Sequence, residues 1–205
     1  MRILQHAKYL GCIGLLLLLL IGIFDICGVQ MTQLSRDPLQ RLQLPVYLGL
    51  LSYLGVLAWC AASAIMLFSA FLIRQGHPDS LPARFLVWMG ILAAILFLDD
   101  LFMVHDTIVP VHLRLPEMSV YLVYAGYTGW LLVRFWRFIL EQTDYILFLL
   151  AGVCFGSSVA IDIDLIPGKI GTEDTLKMFG IMIHCYYCIL TAAHAVHSAP
   201  PPGPR

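Results

Sequence analysis

The residues of this 205-residue chain best suited to chemistry are carboxylates and imidazoles lying inside apolar segments or at their ends. Phe97-Leu98-Asp99-Asp100-Leu101-Phe102-Met103-Val104-His105-Asp106 gathers three carboxylates and a histidine in one short stretch. On a continuous helix Asp99 and Asp106 would stack on one face two turns apart, with Asp100 and His105 flanking that stripe on opposite sides. Such a group suits a divalent metal, zinc or a similar ion, or a proton relay. The plainer alternative is a helix end with capping acids and a hydrogen-bonded histidine.

Two further segments offer partners. In Ser157-Ser158-Val159-Ala160-Ile161-Asp162-Ile163-Asp164, Ser158 shares a helix face with Asp162, and Ser157 shares one with Asp164. Gly156 and the two serines would equally let a neighbouring helix approach closely. Gly171-Thr172-Glu173-Asp174 reads as a helix start with acids in its first turn, where the helix dipole favours them. Downstream, Glu173, Lys177, Gly180, His184, Cys188 and Thr191 fall within a narrow arc, and Glu173 with Lys177 has the spacing of an ion pair. The candidate catalytic residues are therefore Asp99, Asp100, Ser158 and Lys177, and the candidate metal ligands are Asp100, His105, Asp106, Asp162, Glu173 and His184. His184, about two turns deeper than Lys177, reads either as a buried neutral imidazole or as a ligand or proton carrier.

Other signals are weaker. Cys185 and Cys188 have the spacing of a redox pair but lie mid-segment, away from the exposed, electropositive helix start that such chemistry needs. His194 and His197 read as part of a surface tail. Tyr121, Tyr124 and Tyr127 suit a membrane boundary, where one or two could line a pocket beside the carboxylates. Trp59, Trp88, Trp130 and Trp136 are expected to anchor or pack.

The elements that must position these groups are membrane helices. Hydrophobic residues make up 60% of the chain, charged residues 12%, and mean hydropathy is +0.85, far from the roughly 25% charge of soluble domains. Six stretches have the length and apolarity of a span: 9–28, 46–73, 85–110, 117–136, 144–165 and 174–196. The expected fold is an all-α polytopic bundle of six spanning helices, a single domain over 1–197, followed by a disordered proline-rich tail at 198–205. Asp99 and Asp100 would then lie about 15 Å from the end of the third span, where charge is expensive in hydrocarbon. The first segment lacks a small-x-small cleavage site and reads as a retained span. Six cysteines, all in or beside apolar segments, behave as small hydrophobes.

Alternating the loops puts Arg2, Lys8, Arg74, Arg84, Arg134, Arg137 and Arg205 on one side, and Arg36, Arg41, Arg114, Lys169 and Lys177 on the other. The basic excess marks the first side as cytoplasmic, with both termini there. Of the thirteen acids, all but Asp79, Glu141 and Asp144 fall on the outer half. Asp37 and Glu117 read as a solvated rim. The expected location is the plasma membrane, with the site facing outward.

Ser157 or Ser158 with Asp100, His105 and His184 is similar to the Ser, Asp and His combination of intramembrane hydrolases of the alkaline ceramidase type. The similarity is one of residue types: those enzymes carry a histidine pair three or four residues apart on a late span, whereas His194 and His197 fall at the opposite membrane face. Three readings stand. The first is a metal-dependent hydrolase acting on a lipid or other membrane substrate. The second is a proton- or cation-coupled transporter or channel component, and the third a structural or assembly subunit contacting a partner membrane protein. Glycine-rich phosphate loops and the HExxH, GxSxG and DxDxG patterns are all missing, so nucleotide-driven transport and the common soluble hydrolase mechanisms lack their parts; neither nucleotide nor nucleic acid is an expected partner.

Overall fold

A computed structural model describes residues 11, 14–15, 18–19, 21–29, 39, 42–45, 47–167 and 171–200. The chain divides into two compact units, Met1–Leu50 and Leu51–Arg205. In the first, residues 21–26 are helical, as are the described residues between 11 and 19; Cys27 and Gly28 form a turn, and the remaining residues of the expected 9–28 span lie outside the described residues.

The second unit carries every candidate site residue. Its helices are α1 (Leu50–Gly76), α2 (Leu81–Phe102), α3 (Met118–Gln142), α4 (Tyr145–Asp162) and α5 (Thr172–Ser198), and a π-helix, Val104–His112, joins α2 to α3. No strand occurs among the described residues. Among the described residues four helices, α1, α2, α4 and α5, are long and apolar enough to cross a membrane. At 25 residues α3 is of comparable length, about 37 Å.

The packing is that of helices in lipid, where small residues admit close backbone approach and large apolar ones face outward. Ala62, Ser63, Ala70, Ala83, Gly90 and Ala93 are buried, whereas Phe68, Phe71, Val133, Leu149 and Phe179 are exposed. Ser63 donates its hydroxyl to the Gly90 carbonyl at 3.0 Å, joining α1 to α2. Phe85 of α2 meets Phe135 and Phe138 of α3, and α3 departs from helical geometry at Phe135. On α5 a Cβ at Gly180 would stand 2.8 Å from the Phe155 ring of α4. Gly180→Ala is therefore expected to destabilise the protein by about 1–3 kcal/mol, the usual cost of overpacking, as a lower midpoint in a detergent melting curve; an unchanged midpoint would show that Phe155 yields freely.

The boundaries correct two expectations. The third segment does not continue as one helix to residue 110: α2 stops at Phe102, because Met103 adopts a left-handed conformation (φ 51°, ψ 48°) and its N–H bonds the Asp99 carbonyl. Asp99 and Asp100 thus sit in the last turn of α2, and the stacking of Asp99 over Asp106 does not form. His194 and His197 lie on the last turns of α5, not in a tail. Of the expected 198–205 tail, residues 201–205 lie outside the described residues, and the Pro200 carbonyl is 3.2 Å from His77 Nε2.

Candidate functional site

Alternation of the helices along the chain brings the end of α2, the start of α3, the end of α4 and the start of α5 to one end of the unit. A cavity of about 480 Å³ opens there. Asp99, Asp100, His105, Tyr121, Tyr124, Ser158, Asp162, Glu173 and Lys177 supply its polar lining, and Trp59, Leu92, Leu96, Phe155 and Val159 contribute apolar wall. The carboxylates outnumber the cationic groups.

The left-handed turn at Met103 folds the chain back over Asp99. The His105 backbone N–H donates to Asp99 Oδ1 at 2.9 Å, and His105 Nδ1 lies 2.7 Å from Asp99 Oδ2. That second contact is short but poorly aligned, so Nδ1 has an ionic neighbour without a well-directed hydrogen bond. Both residues are buried. On the other ring edge, Nε2 faces Asp106 Oδ1 at 3.2 Å. His105, past the end of α2 and outside the four spans, holds its proton more tightly than an ordinary histidine. Burial works against the imidazolium, but the contact with Asp99 and the charges of Asp99 and Asp106 outweigh it.

Asp100 is held separately. Lys177 Nζ stands 2.9 Å from its Oδ1, and the buried Trp59 donates its indole N–H to Oδ2 at 3.0 Å. Lys177 is therefore paired with Asp100 across helices, not with Glu173 one turn earlier. The desolvated carboxylate, already fixed by an indole, offers the stronger partner.

Tyr121 spans two carboxylates, its hydroxyl 3.0 Å from Glu117 Oε1 and 2.7 Å from Asp162 Oδ2. One hydroxyl has one proton to donate, so the second carboxylate must bring a proton of its own or be balanced by a cation. The Tyr121 ring also lies beside that of His105, centroids 5.8 Å apart.

Among the described residues, two groups of side chains bring potential ligand atoms within 4.8 Å of one another: Asp99, Asp100 and His105, and His105, Asp106 and Glu117. His105 belongs to both. In the first group the carboxylates are engaged by His105 itself and by Lys177; in the second, Asp106 is exposed and Glu117 half-buried.

Of the sequence candidates, Asp99, Asp100, His105, Ser158, Asp162, Glu173 and Lys177 line the cavity, and Asp106 adjoins it through His105. The Ser158 Oγ donates to the Glu173 carbonyl at 3.2 Å and ties α4 to α5. His184 stands apart, buried among Trp59, Phe148 and Tyr187, its Nε2 without a hydrogen-bond partner. Cys185 and Cys188 are free thiols, Cys188 buried in the core. Sequence reasoning missed Trp59, forty-one residues from Asp100, and Glu117, which was read as a solvated rim. Tyr121 and Tyr124 do line the cavity.

Residues 9–191 match a protein-family model described as "Domain of unknown function (DUF8692)". The chain belongs to that family. No curated protein and no solved structure matches it.

Proposed function

We propose that this DUF8692 protein is a divalent-metal-dependent hydrolase that cleaves an acyl ester or amide of a membrane lipid at one face of the bilayer. The observation that carries this reading is the placement of His105, with Asp99 against Nδ1 and Nε2 turned toward Asp106. A carboxylate at one imidazole nitrogen is the usual outer partner of a metal-binding histidine, fixing the ring and raising its basicity. His105 Nε2, Asp106 and Glu117 would hold the ion; three ligands leave a position for water, and the mixed nitrogen and oxygen donors suit zinc or manganese. Such an ion lowers the pKa of bound water and polarises a carbonyl.

The surrounding chain fits this role. With Ser158 committed to a backbone carbonyl, water is the better nucleophile. Tyr121 and the Lys177–Asp100 pair lie in the same cavity, where they can orient a carbonyl and offset developing charge. A relay through the membrane is less well supported, because inward of Asp100 the path meets Trp59 stacked on Phe155 and then buried His184. Among the described residues of the second unit, Arg74, Arg84, Arg134 and Arg137 lie toward the opposite end, and only Arg114 and Lys177 lie at the cavity's end. By the positive-inside bias the cavity faces outward.

Purified protein in nanodiscs, assayed against a panel of acyl ester and amide lipids, is expected to hydrolyse at least one. Chelation should abolish turnover, zinc or manganese should restore it, and His105→Ala should reduce it at least about 100-fold. Turnover indifferent to chelator and to His105→Ala would remove the proposal.

A further inference from the structure

The α4 wall of the cavity carries a gap. Gly152 and Gly156, one turn apart on α4, both line the cavity, and a Cβ built on either would meet nothing within 4 Å. Glycine weakens a helix interior relative to almost any other residue, and here no neighbouring helix claims the space it leaves, in contrast to Gly180 under the Phe155 ring. Across the gap α3 presents Leu122, Ala125 and Thr128. Helices α4 and α5 pack intimately, whereas α3 and α4 flank the cavity and are bridged at its polar end by the Tyr121–Asp162 hydrogen bond. Leu122 is 65% exposed, so this side of the cavity opens laterally, toward where lipid would lie.

The polar end constrains what can enter. Of its carboxylates, Asp99 lies against His105 and Asp100 against Lys177, so Asp162 and Glu173 carry the excess negative charge. An anionic headgroup would meet like charge, while an uncharged or cationic one would not. The aromatic rings of Trp59, Tyr121 and Tyr124 at this end accept either a sugar-like or an ammonium head.

Building on the hydrolase reading, we propose that the α3–α4 cleft is the lateral entry for a lipid with an uncharged or cationic head. One acyl chain would lie along Gly152 and Gly156, and the head would rest against the carboxylates. In the metal-free protein a phosphate head is disfavoured by this charge.

The test uses the full chain in nanodiscs and an alkylglycerol whose ether-linked chain carries a diazirine and cannot be hydrolysed. Irradiation is expected to label residues 118–128 and 152–159. The double variant Gly152→Leu/Gly156→Leu, whose helix is favoured by the change, should lose at least tenfold of that labelling while zinc binding stays at wild-type strength. In the metal-stripped protein the same chain bearing a glycerol phosphate should label the cleft at least tenfold less. Labelling spread over the lipid-facing surface and undiminished in the leucine variant, or equal labelling by the phosphate form, would overturn the inference. The hydrolase reading fails separately: cleft labelling intact in a protein that binds no metal and turns nothing over would support the entry and sink the reaction.

Discussion

Lys177→Met is expected to cost the protein about 2–3 kcal/mol of stability, read as a lower melting midpoint in detergent. Removing one partner of a buried ion pair typically costs about 3–5 kcal/mol, because the remaining charge is stranded. The lower range applies here because the Lys177 side chain is 35% exposed and the Asp100 side chain 11%. After the substitution, Asp100 keeps only the indole of Trp59. The double variant Lys177→Met/Asp100→Asn leaves no uncompensated charge, and the Trp59 N–H can still donate to the asparagine oxygen. It should therefore melt above Lys177→Met alone. Strict additivity of the two changes would show that the pair is not coupled.

Asp99→Asn is expected to weaken metal binding about 10–100-fold, the usual effect of removing a ligand's outer partner. Asp99 fixes both the His105 backbone N–H, at 2.9 Å, and the Nδ1 edge of the ring, at 2.7 Å. An amide can keep one of these contacts but carries no charge to sustain the basicity of Nε2. Protons compete with metal at that nitrogen. Because folding raises the pKa of His105, metal affinity should rise with pH through the range above the ordinary histidine value and fall as the imidazolium forms below it. Asp99→Asn should move that dependence to lower pH. A variant with wild-type affinity and an unshifted profile would mean that His105 does not depend on Asp99.

The long apolar helices were legible because length and apolarity are local properties. Expected spans 46–73 and 174–196 became Leu50–Gly76 and Thr172–Ser198, and the segment 144–165 became Tyr145–Asp162. The break at Met103 was not legible: the left-handed residue there is neither glycine nor asparagine, and Pro110 lies seven residues beyond it, inside the π-helix. That one residue decides the site, since a continuous helix would have pointed His105 away from Asp99. Local spacing also misled at Lys177, where Glu173 was the near partner in sequence but Asp100 offered a drier one. Glu117 and Trp59 could not be recognised for the opposite reason. Each is an ordinary residue of its own segment, and only tertiary packing brings Glu117 to His105 and Trp59 to Asp100.

Calorimetric titration of the purified, metal-stripped protein with zinc and with manganese, comparing wild type, His105→Ala and Glu117→Gln, tests the central claim most directly. One equivalent is expected to bind the wild type, with loss of binding in His105→Ala and marked weakening in Glu117→Gln. Absence of any stoichiometric binding by the wild type, or equal binding by all three proteins, would contradict the account.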